Sequence, residues 1–237
     1  MNKPFKFKQF AIHQDRCAMK IGTDGVLLGA WTSLQNNPES ILDIGAGTGL
    51  IALMLAQRSG AETMDALEIE EEAYEQCVDN FEASPWGDRL FSYHAGLDEF
   101  LDDIEDQYDL IVSNPPFYSE EVASGNSARD MARQNQSLPF EELIEGVSKL
   151  LSPDGIFSTI IPYKEEVHFI DLAEKSGLYP QHLTRVKGNP SSEIKRSLLL
   201  FSFNKKEVLK DELTIEVERH QYTPEYITLT KEFYLKM

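Results

Sequence analysis

The sequence contains no long apolar run. No stretch approaches the roughly 18 residues that a membrane-spanning helix requires, so nothing in it reads as crossing a bilayer. Cysteine is scarce: only Cys17 and Cys77 are present, far apart and in no metal-ligand spacing, which excludes a disulfide framework and fits two reduced thiols in a cytoplasmic protein. The histidines (His13, His94, His168, His182 and His220) are scattered without ligand spacing, and no metal is expected. No internal repeat or low-complexity tract is visible. The opening "MNKPFKFKQF" is basic but alternating, with neither an apolar core nor a small-residue cleavage site, and does not read as a signal peptide.

Positive charge is also in deficit. A formal net charge of −18 argues at first against a nucleic-acid partner, because phosphate binding is driven by Lys and Arg. The excess is local, however. Residues 1–35 balance at +3, residues 36–112 at −17 and residues 113–237 at −4. Arg185, Lys187, Lys195, Arg196, Lys205 and Lys206 cluster with only Glu193 opposing them. A bipolar molecule is still compatible with a polyanion on one side, but from charge alone solvated helix faces throughout are the favoured reading.

At 237 residues the chain suits one domain. Its expected parts are an N-terminal hairpin and helix (1–35), a catalytic core (36–205) and a C-terminal extension (206–237). From residue 40 onward, apolar strand-like runs alternate with helix-like ones, the pattern of a parallel α/β sheet. "SILDI", "TMDALEI", "RLFSYHA", "YDLIVS" and "GIFSTIIP" read as five strands separated by helices. "YPQHLTRVKG" and "KRSLLLFSFN" follow without a helix between them and are expected to pair antiparallel. In the helix "GLIALMLAQRSG", the residues Leu50, Leu53, Met54 and Ala56 are spaced for one buried face, and Gly60 acts as a stop. Before the core, Phe5/Phe7, Phe10/Ile12 and Cys17/Met19/Ile21 alternate around a turn-like "HQDR", which predicts a hairpin. Thr23 or Asp24 is then expected to cap a helix running to Trp31. Tyr118 to Pro139 is long, polar and without periodicity, the character of a functional or disordered connection.

Two motifs carry chemistry. "LDIGAGTGL" places Gly45, Gly47 and Gly49 between a strand and a helix, where the backbone can approach a nucleotide-like cofactor at the helix N-terminus. The spacing Gly-x-Gly-x-Gly is not that of a dinucleotide fold. Glu68 closes the next strand about twenty residues on, where a carboxylate accepts hydrogen bonds from ribose hydroxyls. Glu70, Glu71 and Glu72 read instead as the acidic first turn of a helix. Asp43 either binds the cationic end of a cofactor or braces the loop. The second motif is "NPPF", directly after the strand "YDLIVS". Proline lacks a backbone donor and fixes its own φ, so Asn114, Pro115, Pro116 and Phe117 form a stiff elbow that presents an amide, a freed carbonyl and an aromatic face.

Together, "LDIGAGTG" and "NPPF" resemble the Rossmann-like methyltransferases that use S-adenosyl-L-methionine to methylate amino groups. The flanks "FKQFAIHQDRCAMKIGTDGVLLGAW" and "YTPEYITLTKEFYLKM" are similar to those of the bacterial tRNA (adenine-N(6))-methyltransferase family, and with them the resemblance runs almost end to end. It implies an α/β class I fold, a seven-stranded and mostly parallel sheet with an antiparallel last strand, plus the N-terminal hairpin. It implies S-adenosyl-L-methionine as cofactor and the adenosine 3′ of a valine tRNA anticodon as substrate. "KIGTDG", with Lys20 and Thr23, would help close over the cofactor, while Asn114 and the Pro115 carbonyl accept the N–H groups of a flipped adenine stacked on Phe117. Tyr118 would line that pocket or only brace it. The family commonly has an acidic residue after the third strand, where this chain has Gly96; Asp98 or backbone groups would have to compensate.

Candidate phosphate contacts are Lys6, Lys8, Arg129, Arg133, Lys195 and Arg196, and a monomer is expected. The competing acceptors are a guanine amine in rRNA, whose enzymes usually carry a duplicated domain, and a glutamine side chain in a release factor. The glutamine enzymes carry a helical N-terminal domain and Tyr at the place of Phe117. A cofactor-binding protein without catalysis is a third alternative, with no use for paired amine acceptors.

Overall fold

A computed structural model describes residues 3–17, 20–104, 106–116 and 138–237. Its first elements are a hairpin of β1 (Phe5–Lys6) and β2 (Ala11–Ile12), followed by α1 (Thr23–Trp31). Strands and helices then alternate: β3 (Ser40–Ile44), α2 (Leu50–Arg58), β4 (Thr63–Glu68), α3 (Glu71–Glu82), β5 (Leu90–His94), α4 (Leu97–Asp103) and β6 (Tyr108–Ser113). After the undescribed stretch come α5 (Phe140–Leu150), β7 (Leu151–Pro162), α6 (Glu166–Lys175), β8 (Tyr179–Lys187) and β9 (Ile194–Ser202). β10 (Leu209–Thr214), a small pair of β11 (Glu216–Glu218) and β12 (Gln221–Tyr222), and α7 (Pro224–Thr230) complete the chain.

The central sheet has the order β10-β8-β9-β7-β6-β3-β4-β5. Only β9 runs against the others: it pairs antiparallel with both β7 and β8, while β10 is parallel to β8. The seven expected strands are β3 to β9, and β10 adds an eighth. Both faces are covered at the middle of the sheet, which is why the central strands are predominantly apolar, whereas Phe91 and Tyr93 of the edge strand β5 are exposed. On one face Ile41, Leu110 and Val112 join a core with α1, α2, the hairpin and Tyr226 and Phe233. On the other, Leu42, Ile44 and Ile111 pack with residues of α4, α5 and α6.

Three expectations are corrected. The hairpin turns at Phe7–Phe10, where the Phe7 N–H donates to the Phe10 carbonyl at 2.9 Å, rather than at "HQDR". Residues 13–16 instead run on as a strap along α3, because buried side chains of that helix satisfy their backbone. Met19 lies outside the described residues. α1 is preceded by Gly22 and has no side-chain cap; Thr23 is exposed, and Asp24 instead pairs with Arg196 Nε at 2.7 Å, tying the helix start to β9. Finally, α2 buries not one face but every residue from Leu50 to Ala56, since α1 covers the side turned away from the sheet. The two helices cross so closely that a β-carbon on Gly29 would stand 2.8 Å from Met54 Sδ.

The two ends of the chain meet. Phe7 and Tyr234 form an isolated antiparallel bridge with ring centroids 5.9 Å apart, and the Lys8 N–H donates to the Phe233 carbonyl at 2.8 Å.

Candidate active site

The chain passes outward from β3 to β4 and β5, then returns to β6 on the opposite side of β3. Ligands of such sheets bind at this reversal, beyond the carboxyl ends of the strands. Register fixes what is found there. Ile44 on β3 lies opposite Leu67 on β4 and Ser113 on β6. The next residue of each strand is Gly45, Glu68 and Asn114 respectively, so the glycine loop, the carboxylate and the Asn-Pro-Pro elbow leave the sheet in one row, with strands about 4.8 Å apart. Ser113 Oγ donates to the Ile44 carbonyl at 2.9 Å and fastens the two strand ends together.

The glycine loop is held open. The N–H groups of Gly45 and Ala46 both donate to the Leu67 carbonyl at 2.9 Å. Gly45, Gly47 and Gly49 all have positive φ, at 74°, 58° and 79°. Around Gly45 and Gly47 an added β-carbon would meet nothing within 4 Å, so the loop faces free space. At Gly49 it would meet Phe81 Cε1 at 2.5 Å and Cys77 Sγ at 2.9 Å, so this glycine serves the packing of the loop on α3.

Glu68 is half-buried and oriented by two backbone donors. The Gly47 N–H reaches its Oε2 at 2.7 Å and the Glu70 N–H its Oε1 at 2.9 Å, which leaves each oxygen a lone pair for a ligand. Glu70 caps α3 by accepting from the Ala73 N–H at 2.8 Å.

Asp43 is fully buried. Its Oδ2 accepts the Ala52 N–H at 3.1 Å, bracing the first turn of α2, while Oδ1 has no protein partner. Burial pushes its carboxyl up to about 7, against the Ala52 hydrogen bond and with a smaller push from Glu68.

The N-terminal strap approaches from the other side. Asn80 on α3 is buried and exchanges hydrogen bonds with the His13 backbone while donating to the Thr48 carbonyl in the glycine loop at 2.9 Å. Gln76 Oε1 accepts the Arg16 N–H at 3.0 Å, and the Arg16 guanidinium pairs with Glu75 and Asp79. Gln14 Oε1 accepts the Ile21 N–H at 2.8 Å, bending the strap back toward α1. Cys17 lies near Glu68 and Glu70: burial first, then these two carboxylates, pushes its thiol up to about 11.

Among the other sequence candidates, Asn114 and Pro116 are half-buried and Pro115 is buried at the end of β6. Lys20, Thr23 and Lys195 are exposed, and Arg196 is engaged with Asp24. Phe117, Tyr118, Arg129 and Arg133 lie outside the described residues. At Gly96 an added β-carbon would stand 2.6 Å from Asp98 Oδ1 and 3.7 Å from Ile69 Cδ1, so Asp98 folds over the glycine. Ile69, 56 % exposed beside Glu68, was not singled out from sequence, nor were Gln76 and Asn80.

The family model of the methyltransferase small domain matches residues 24–174. The chain is similar to a tRNA1(Val) (adenine(37)-N6)-methyltransferase of Flavobacterium johnsoniae, with 64 % identity over 98 % of this chain and 100 % of the relative. A relative of the same name from Bacteroides fragilis is 47 % identical over the whole of both chains. The chain belongs to the tRNA1(Val) (adenine(37)-N6)-methyltransferase family.

Solved structures agree on the fold. A predicted O-methyltransferase from Agrobacterium tumefaciens superposes with a TM-score of 0.70 at 18 % identity, covering 89 % of this chain and 96 % of that one. A ribosomal protein L11 methylase from Lactobacillus delbrueckii gives 0.53 at 17 %, covering 77 % of each chain. This family member is therefore an S-adenosyl-L-methionine-dependent methyltransferase with a class I fold. Its residues fit that cofactor: a backbone cradle open above Gly45 and Gly47, a carboxylate with free lone pairs at Glu68, and a buried carboxylate with one unpartnered oxygen at Asp43. Among the described residues no group of three His, Cys, Asp or Glu could hold a metal ion, and no helix is long and apolar enough to cross a membrane.

Proposed function

We propose that the protein transfers one methyl group from S-adenosyl-L-methionine to the exocyclic N6 amine of adenosine 37 in a valine tRNA. The observation that supports this reading is the row formed by Asn114, Gly45 and Glu68 at the ends of three adjacent strands, which puts the Asn-Pro-Pro elbow beside the glycine loop. The printed names of full-length relatives supply the acceptor.

When bound, the cofactor supplies an electrophilic methyl group on a sulfonium centre. Glu68 would accept from its ribose hydroxyls, the loop from Gly45 to Gly49 would hold it, Asp43 Oδ1 would take a cationic group, and Ile69 with the Gly96–Asp98 turn would flank its adenine. Lys20 and Thr23 belong to the segment that covers it. The N6 amine of adenine is conjugated with the ring, so its lone pair is delocalised. Asn114 Oδ1 and the Pro115 carbonyl would each accept one N–H, orienting the nitrogen and its developing lone pair toward the methyl donor. Orientation is the main catalytic contribution, Pro115 and Pro116 would keep the acceptors from moving, and the expected role of Phe117, outside the described residues, is to stack on the base. A cytoplasmic setting follows from a tRNA substrate.

The test is methylation of a panel of purified tRNAs with labelled cofactor, followed by nucleoside mapping. The expected product is N6-methyladenosine at position 37 of valine tRNA. Label on guanine, on a glutamine side chain, or on no acceptor would overturn the reading.

A further inference from the structure

At the same carboxyl edge of the sheet, past β7, a second group of side chains is arranged without a role in holding cofactor or amine. Glu166, the first residue of α6, is 3 % exposed. Its carboxylate is gripped by Arg185 of β8, with Nε at 3.2 Å and Nη2 at 2.7 Å from Oε1, and by the hydroxyl of Ser197 on β9. A buried carboxylate holding a planar guanidinium through two nitrogens fixes the plane as well as the charge. That guanidinium lies over the ring of Tyr163, with its carbon 5.3 Å from the ring centroid. Tyr163 begins the turn after β7 and is 38 % exposed.

Register locates the group relative to the chemistry. Thr159 lies opposite Ser113, so Tyr163 stands three residues further out than Asn114 and one strand across. With strand rise and spacing as usual, that is on the order of 10 Å. Pro162 is opposite Arg196, so the next residues outward on the two strands are Tyr163 and the exposed Lys195. An exposed ring backed by a fixed guanidinium, with a lysine beside it, is what proteins use to stack an unpaired base and neutralise its phosphate. Packing alone does not require Arg185 to be locked over a ring that is left open to solvent.

We propose that Tyr163, backed by Arg185 and Glu166, is a stacking platform for an unpaired nucleobase of the RNA next to the one delivered to Asn114, with Lys195 at its phosphate. This rests on the tRNA reading above. Enzymes that extrude a base commonly select their substrate through the nucleotides flanking it, and the platform makes part of that selection.

The experiment uses the full chain and measures kcat and KM for valine tRNA, together with calorimetric affinity for S-adenosyl-L-methionine. Tyr163→Ala is expected to raise KM for tRNA roughly ten- to hundred-fold, with kcat and cofactor affinity near wild type; Tyr163→Phe and Tyr163→Trp should restore KM. In a parallel series, 2-aminopurine at each nucleotide flanking the target should be quenched on binding by wild type at one position, and that quenching lost in Tyr163→Ala. Wild-type KM in a folded Tyr163→Ala protein, or quenching that is unchanged at every position, overturns the platform while the tRNA reading stands. A wild type that binds cofactor but methylates no tRNA overturns both.

Discussion

Asn80 and His13 exchange a complete amide pair: the His13 N–H donates to Asn80 Oδ1 at 2.8 Å, and Asn80 Nδ2 returns a hydrogen bond to the His13 carbonyl at 3.0 Å. The same nitrogen also reaches the Thr48 carbonyl, so one buried side chain joins the N-terminal strap to the glycine loop. Replacing it with Ala leaves the buried Thr48 carbonyl and the part-buried His13 N–H and carbonyl without this partner, at about 1–3 kcal/mol for the buried group. Asn80→Ala should unfold at lower urea, exchange its amide hydrogens at residues 13–16 much faster than wild type, and bind cofactor more weakly. Protection at 13–16 equal to wild type would mean that the strap is held by other contacts.

Asp43 gives the unliganded protein a pH dependence of defined sign. A carboxyl whose folded pKa is raised holds more protons folded than unfolded between the two values, so its contribution makes stability fall as pH rises from about 4 to about 7 and stay level above that. Asp43→Asn should flatten this part of the stability profile in denaturant titrations at a series of pH values. Affinity of the wild type for S-adenosyl-L-methionine should rise over the upper part of the same interval, as the carboxylate needed by a cationic group becomes charged. Calorimetry that finds the same affinity at pH 6 and pH 8 would remove Asp43 from the cofactor site.

Two glycines of one loop are expected to fail differently. Gly47→Ala puts its β-carbon into open space at the cost of a left-handed backbone, about 1–2 kcal/mol. The protein should fold with a modestly lowered Tm and lose cofactor binding. Gly49→Ala drives a β-carbon into Phe81 and Cys77 and should give little soluble protein. Thermal melts and calorimetry on both variants decide the matter; strong cofactor binding by Gly47→Ala would show that the ligand does not lie on this loop.

Asn114→Ala should abolish turnover, by a factor of a hundred or more for a lost orienting contact, while cofactor affinity stays within a few-fold of wild type. The reverse pattern, lost binding with normal turnover at saturating cofactor, would exchange the roles of the elbow and the loop.

The central strands are legible because both sheet faces are covered there, so "SILDI" and "YDLIVS" are apolar apart from Ser40, Asp43, Asp109 and Ser113. β10 is not. "LKDELT" has four exposed residues of six, and only its pairing with β8 makes it a strand. The hairpin turn is hard to place from sequence because alternation resumes on both sides of the polar "HQDR", whereas the observed turn at Phe7–Phe10 is marked only by a change of phase between Phe7 and Phe10. The site divides along the same line. Gly45, Gly47, Glu68 and Asn114 are adjacent to strand ends and legible by position. Asn80 and Gln76 sit in "EEAYEQCVDNFE", which looks like a solvated acidic helix; the backbone they serve lies about sixty residues away in sequence.

The bridge between Phe7 and Tyr234 bears on the order in which the molecule can assemble. Phe7 and Lys8 gain their partners Tyr234 and Phe233 only once nearly the whole chain has been synthesised, whereas the sheet from β3 to β6 is built from residues made long before. Domains generally fold as their segments become available, and a contact closing a loop of more than two hundred residues forms late. A ribosome-bound chain stalled just short of residue 233 should therefore show a protected sheet, and a strap held at residues 13–16 by Asn80 and Gln76, while the Lys8 amide is unprotected. The N-terminal hairpin would be the last part of the protein to be fastened, after the strand ends that carry Gly45, Glu68 and Asn114 are already in register.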